Sequence, residues 1–254
     1  MDLTAYRAST SEQERTDDLV RLMPSAGEIA LDIGARDGHF SRLLAERFGT
    51  IVALDLCLPR FMLPKVLCIQ GDVTKLSFSD KSIDFILCAE VLEHIPPDLL
   101  PLACNELQRV CRGKLLIGVP YRQDLRLDRL TCSHCKKKNP PWGHVNQFDE
   151  NVIANLFKNS AIEFISYVGH TRAQTNILSA FLMDLAGNPY GTYMQDEPCI
   201  HCGKKMPLPP PRNLTRKILT RLAIFARSLT RPFKKERAKW IHVILHPHYL
   251  KDTK

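Results

Sequence analysis

EIALDIGARDGHFSRLL, residues 28–44, runs from an apolar block at 29–33 through Asp32, Gly34 and Gly38 into a helix-period segment over about 39–48 that Gly49 ends. A strand, a glycine turn and a helix start in that order leave free backbone N–H groups and let a ligand approach the main chain. Outward from this stretch, short apolar runs recur at 51–54, 66–69, 83–88 and 115–119, with a helical pattern over about 98–111 that ends near Gly113. Strands alternating with helices predict parallel pairing through crossover helices, an α/β sheet with helices on both faces. Residues 73–82 are too polar and broken for a helix. Ahead of the first strand, 11–23 predicts a covering helix with Leu19, Leu22 and Met23 on one face.

The alternation stops after Pro120. A polar stretch bearing cysteines and lysines runs to Trp142, followed by a helix (150–159), a strand (162–168) and a second helix (175–186). A proline-rich break at 207–211, a basic segment and a last apolar strand at 240–245 complete the chain. With 44% hydrophobic residues the 254-residue chain can bury a core. It shows no apolar run of membrane-spanning length and no apolar leader at its N-terminus, so the expected location is cytoplasmic.

The net charge is +8, and ten Lys/Arg against the single acid Glu236 between Arg212 and Lys239 carry all of it. Leu214, Ile218, Leu222, Phe225 and Leu229 recur there at helical spacing. A basic amphipathic helix of this kind fits peripheral contact with an anionic membrane or an acidic partner; packing on its own domain with a solvated charged face is the alternative. Nucleic acid is the weaker fit, because no base-stacking aromatic series accompanies the charge.

Five of the nine cysteines, Cys57, Cys68, Cys88, Cys104 and Cys111, stand singly in apolar surroundings and are expected in the core. The other four form Cys132-Ser-His-Cys135 and Cys199-Ile-His-Cys202, two knuckles that supply four thiolates for one tetrahedral Zn²⁺. Lysines after each pair offset the −2 charge of such a centre. Neither pair opens a helix after a strand, which disfavours a redox role. A closed four-sulfur site leaves no open position, so the expected zinc is structural.

The glycine turn departs from the dinucleotide pattern G-x-G-x-x-G, and a carboxylate at Asp32 would repel a pyrophosphate; a ligand with a cationic amino-acid end suits it better. LDIGARDGHFS resembles the first motif of class I S-adenosylmethionine-dependent methyltransferases. The resemblance continues in order through Asp55 in IVALDL, GDV at 71–73 and FILCAEVLEHI around the fourth strand, and covers about 25–170 plus the last strand. It implies a doubly wound, mostly parallel seven-stranded Rossmann-like sheet of order 3-2-1-4-5-7-6, the final strand antiparallel. Residues 1–24 would form the covering helix and 25–254 the methyltransferase domain. Insertions at 121–147 and 187–239 would carry the knuckles and the basic helix. The resemblance also implies S-adenosylmethionine as cofactor. Asp32, Gly34, Ala35 and Gly38 would lie at its methionyl part, Asp55 with Leu56 at the ribose hydroxyls, Asp72 with Val73 at the adenine amino group, and Glu90 near the cofactor. Arg36 stands where the family usually has its middle glycine.

Methyl transfer is an in-line displacement that alignment accelerates, and a hydroxyl acceptor gains from a base. His94 in EVLEHIPP and His144 in PWGHVNQFDE are the candidate bases; each also admits a structural role, with Leu92 and Ile95 anchoring the first loop and Asp149 capping the helix after the second. The leading expectation is O-methylation of a small molecule or a glycan or lipid-linked precursor. An RNA or protein methyltransferase docking through the basic segment, and a non-catalytic scaffold on the same fold, are the alternatives.

Overall fold

A computed structural model describes residues 7–248, which form two compact units. The first unit comprises 7–121, 148–169 and 239–248, the second 122–147 and 170–238. Residues 1–6, where the expected N-terminal segment begins, lie outside the described residues.

The first unit is a seven-stranded sheet: β1 (Gly27–Ile33), β2 (Phe48–Asp55), β3 (Val66–Gln70), β4 (Ile83–Ala89), β5 (Cys111–Pro120), β6 (Ser160–Val168) and β7 (Trp240–Pro247), in spatial order β3-β2-β1-β4-β5-β7-β6. The β3 to β5 side is parallel throughout, whereas β7 runs antiparallel to both β5 and β6. This is the expected order and polarity. Central strands buried on both faces carry continuous apolar runs. Leu31, Ile33 and Ile86 pack one face beneath Leu107 of α3 (Leu100–Val110) and Ile153 of α4 (Glu150–Leu156). Ala30, Ile51 and Phe85 pack the other beneath Leu19 of α1 (Thr10–Leu22) and Leu44 of α2 (His39–Ala45). The covering helix is present, and Glu12, Arg15, Leu19 and Leu22 form its buried side at three- and four-residue spacing.

The element ends differ from the periodicity reading. The helix expected to reach Phe48 stops at Ala45, because Phe48 pairs with Gly27 as the first residue of β2 and stacks on Phe85 at 5.5 Å. Cys111 likewise belongs to β5, opposite Ile83, rather than to α3. The expected core cysteines divide: Cys88, Cys104 and Cys111 are buried, but Cys68 on the edge strand β3 is half-buried and Cys57 in the loop after β2 is exposed. No helix forms over 73–82.

The second unit holds a short antiparallel ribbon, Leu130–Thr131 with Lys138–Asn139, and the helices α5 (Ile177–Leu185) and α6 (Leu214–Thr230). It includes α5 and starts its second segment at His170, where the sequence reading set the boundary at 187. Asn176 and Asn213 cap the two helices by accepting from the N–H of Ser179 and Arg216. They pack through small groups: Thr220, Ala223 and Ala226 are the buried side of α6, and Ser179 Oγ donates to the Ala223 carbonyl at 2.7 Å. The apolar stripe that sequence spacing picks out faces solvent, with Leu214 74%, Leu222 48%, Phe225 61% and Leu229 59% exposed. Ile177, Leu178 and Phe181 of α5 are exposed as well. No helix among the described residues is long and apolar enough to cross a membrane.

Candidate active site and a four-cysteine cluster

The turn after β1 is built by left-handed residues. Gly34 has φ 75°, Arg36 φ 42° and Gly38 φ 76°, and Gly38 stands at the N-cap of α2. The N–H groups of Gly34 and Ala35 both donate to the Leu54 carbonyl, at 2.8 and 3.2 Å, which ties the turn to the end of β2. A side chain on either glycine would collide: a Cβ at Gly34 falls 2.5 Å from Val91 Cγ2, and one at Gly38 2.6 Å from the Phe61 ring. Packed side chains fill the space on the Cβ side of each glycine. Their requirement is conformational and steric.

The open part of the turn faces Asp55. Its carboxylate accepts from the Arg36 N–H at 3.1 Å and from the Cys57 N–H at 3.2 Å, so both oxygens are held at the carboxyl end of β2. Arg36 contributes its backbone here, which any residue type supplies. Beside Asp55, Leu56 is 68% exposed. The Asp55 carbonyl accepts from the Gly71 N–H at 2.9 Å, which sets Asp72 next to it after β3. Asp72 Oδ1 takes the N–H and hydroxyl of Thr74, both at 2.8 Å, while Val73 is buried in the core. The turn, Asp55 and Asp72 therefore lie together at the strand ends where parallel sheets bind ligands.

Asp32 is buried beneath the turn and accepts from Ser41 Oγ at 2.6 Å. Burial raises its pKa to about 7, against the opposing Ser41 hydrogen bonds. Glu90, at φ 57° after β4, lies 4.0 Å from Arg15. Burial, opposed by Arg15 and reinforced by Glu12, raises its pKa. The Arg15 and Glu12 side chains are almost wholly buried and paired at 2.6 Å. Glu93 is fully buried with neither carboxylate oxygen hydrogen-bonded, and burial followed by the Glu90 charge pushes its pKa well up. Sequence reasoning missed Glu12, Arg15 and Glu93 as buried charges; the one available signal was Glu93 between an anchoring leucine and His94 in a loop at the strand ends.

His94 follows in a 3₁₀ turn whose Leu92 and Ile95 are buried as expected. The residue keeps exposed surface, but the chain packed around the ring, and then the Arg36 charge, lower its pKa to about 4, leaving it neutral. His144 lies in the second unit, 7% exposed, with Nδ1 2.6 Å from Gln123 Oε1. With that nitrogen donating, Nε2 is the basic one. Asp149 caps α4 through the Val152 N–H, as expected.

In the second unit the two knuckles converge. Cys132 and Cys202 sulfurs are 3.7 Å apart, Cys135 and Cys199 3.6 Å, and all four lie within 4.8 Å of one another. Each knuckle turns through a left-handed residue, Lys136 (φ 62°) or Gly203 (φ 67°), whose N–H returns to the carbonyl of the first cysteine. Burial alone would raise the Cys199 thiol, but hydrogen bonds from the His201 N–H, Asn139 and the Cys202 N–H bring it down to about 6. His201 is turned to the Lys138 carbonyl at 3.0 Å, outside the sulfur quartet.

Residues 31–117 match the family model described as a methyltransferase domain. Uncharacterized methyltransferases of Mycobacterium bovis and Mycobacterium tuberculosis are 31% identical over 112 residues, 42% of this chain and 45% of theirs, so the chain matches less than half the length of these curated relatives. Among solved structures, 1,6-didemethyltoxoflavin-N1-methyltransferase of Burkholderia thailandensis, with S-adenosylhomocysteine bound, superposes at TM-score 0.53 and 14% identity over 97% of this chain and 82% of that one. An S-adenosylmethionine-dependent methyltransferase of Mesorhizobium loti does so at 0.51 and 12%, over 91% and 96%. The [4+2]-cyclase SpnF superposes at 0.55 and 15% over 96% and 84%, so the shared fold by itself does not dictate the reaction.

Proposed function

We propose that this chain, which carries a methyltransferase domain on the class I S-adenosylmethionine-dependent fold, methylates an oxygen of a small molecule or of a glycan or lipid-linked precursor. The observation that carries the reading is the Asp55 carboxylate, fixed by two backbone N–H groups beside the glycine turn and next to Asp72. The donor set fits the cofactor: Asp55 supplies two acceptor oxygens for vicinal ribose hydroxyls, Leu56 an apolar surface beside them, and Asp72 an acceptor for the adenine amino group. Asp32, Gly34, Ala35 and Gly38 form the floor toward the methionyl end, and the buried Asp32 gains from a nearby cation. The bound cofactor supplies an electrophilic sulfonium methyl. His94, which its lowered pKa keeps neutral, or alternatively His144 is the group proposed to accept the proton of the hydroxyl.

The four cysteine sulfurs fit Zn²⁺, because Zn–S bonds of about 2.3 Å in a tetrahedron require sulfur separations of about 3.8 Å, close to those at the quartet. A zinc centre there would tie the 132–135 and 199–202 turns of the second unit together. For α6 we propose an anionic membrane surface as partner. Its exposed leucines and Phe225 supply the apolar side, and Lys217 and Arg221 the cationic flank. Flotation with phosphatidylglycerol vesicles tests this: Leu222→Ser with Phe225→Ser should cut the bound fraction at least tenfold.

The activity is tested with purified protein, isotopically labelled S-adenosylmethionine and a cell extract. Label entering a metabolite or glycolipid fraction supports the reading, whereas label in RNA or polypeptide assigns the macromolecular alternative. Absence of cofactor binding by calorimetry at millimolar concentration would leave the scaffold.

A further inference from the structure

The second unit contains a cavity of about 610 Å³, the size of a small-molecule site. Its wall is cationic: Arg126, Arg129, Arg172, Arg227, Arg231 and Lys234 line it, against the single carboxyl of Asp128. Three of these cations are already committed. Arg126 is paired with Asp124 at 2.8 Å, Arg129 with Asp184 at 3.3 Å and Arg172 with Glu236 at 3.6 Å. Arg227, Arg231 and Lys234 have no carboxylate within 4 Å among the described residues. Arg227 spends its Nε–H on the Gln174 carbonyl at 3.1 Å, which fixes the guanidinium plane. Lys234 is the decisive group, because its Nζ is shielded from water and has no hydrogen-bond partner.

A sheltered ammonium without an acceptor is costly, and neighbouring like charges raise the cost. Burial, opposed by the Asp124 carboxylate and reinforced by the charges of Arg227, Arg126 and Arg237, holds the Lys234 pKa below its ordinary value. A second recess of about 470 Å³ shares Arg126, Arg129 and Gln174 with the cavity and adds Arg122 and Arg237, with Asp124 as its one carboxylate. Three cations without a carboxylate exceed the charge of about −1.5 to −2 that one phosphoryl group carries, so two linked groups match them better. Ala180, Met183 and Ile224 give the cavity wall an apolar part, with the Tyr190 ring also lining it.

We propose that this cavity binds the diphosphate of a phosphorylated small molecule, with Lys234 and Arg227 on the anion and the Met183 and Ile224 wall against its uncharged part. The proposal deepens the functional reading above, since a diphosphate-bearing acceptor is one class of lipid-linked or nucleotide-linked precursor. A prenyl diphosphate and a nucleoside diphosphate share the recognised group.

Calorimetry on the full chain at fixed ionic strength tests it, with inorganic pyrophosphate as the first probe and sulfate as the control. Pyrophosphate should bind at least tenfold tighter than sulfate. Lys234→Met, and separately the surface variant Arg231→Gln, should each weaken it, the former tenfold or more, with S-adenosylmethionine affinity unchanged in both. Farnesyl diphosphate binding tighter than uridine diphosphate assigns the lipid source; the reverse order assigns the nucleotide. Equal binding of sulfate and pyrophosphate, or pyrophosphate affinity unaltered in Lys234→Met, overturns the proposal. Displacement of pyrophosphate by a submicromolar RNA oligonucleotide overturns it in favour of nucleic acid. Cofactor affinity is read separately, so a chain that binds S-adenosylmethionine but not pyrophosphate refutes this inference alone.

Discussion

Replacing Asp32 by Asn should make the protein's stability less dependent on pH, and the sign follows from the burial of this carboxyl. Its folded pKa of about 7 lies above the ordinary 3.8, because burial disfavours the charged form more than the Ser41 hydrogen bond favours it. A group whose pKa is raised on folding contributes its stability fully below the unfolded pKa, and that contribution is lost as pH rises through the folded value. The window is therefore pH 4 to 7. At about 1.4 kcal/mol per pH unit, the interval amounts to about 4 kcal/mol for complete ionisation. Asparagine keeps the shape and an acceptor for Ser41 but cannot ionise. Urea unfolding followed by Trp240 fluorescence in a Trp142→Phe background reads the first unit, in which Trp240 is buried. The stability difference between wild type and Asp32→Asn should shift in favour of the variant by a few kcal/mol, of the order given by that linkage, from pH 4.5 to pH 8. A difference that stays constant across this range would refute the assignment of Asp32 as a protonated buried acid.

Gly34→Ala should destabilise by about 2–4 kcal/mol, from a left-handed φ and an overpacked contact with Val91, and Val91→Ala should restore part of it; chemical denaturation measures both. Asp55→Asn should weaken S-adenosylmethionine about tenfold or more, the scale of charge-assisted hydrogen bonds to two hydroxyls, with unchanged circular dichroism. Purified protein should contain one zinc per chain by elemental analysis, and Cys135→Ser should abolish it. Chelation should expose the second unit to limited proteolysis while the first stays resistant. Glu93→Gln should be tolerated, since burial favours the uncharged form of the native carboxyl, whereas Glu93→Lys should prevent folding; soluble yield and thermal melting separate the two.

The sheet was legible because its central strands are uninterrupted apolar runs and its first turn carries two glycines at fixed spacing. The ends were less legible. Phe48 reads as the last apolar residue of a helix until Gly27 and Phe85 are known to flank it, and both are distant in sequence. The site divided in the same way. Asp55 and Asp72 could be placed from the motifs closing their strands, but the buried Arg15–Glu12 pair and the unbonded Glu93 carboxyl could not, because charge on a local pattern predicts exposure. The four cysteines were readable from spacing alone, since short knuckles must turn their sulfurs together. The basic helix misled in one respect. On the alternative in which it packs on its own domain, its large apolar residues would be the attached side, yet it attaches through Thr220, Ala223 and Ala226, which allow close approach to α5.

The place of β7 between β5 and β6 has a consequence for biosynthesis. During translation, β5 emerges more than a hundred residues before the neighbour that completes its ladder, and β6 about seventy, so each presents unpaired backbone groups until the ribosome has passed residue 247. The nascent chain must therefore wait with a divided sheet, and chaperone dependence of its soluble yield should track the delay in supplying that last segment.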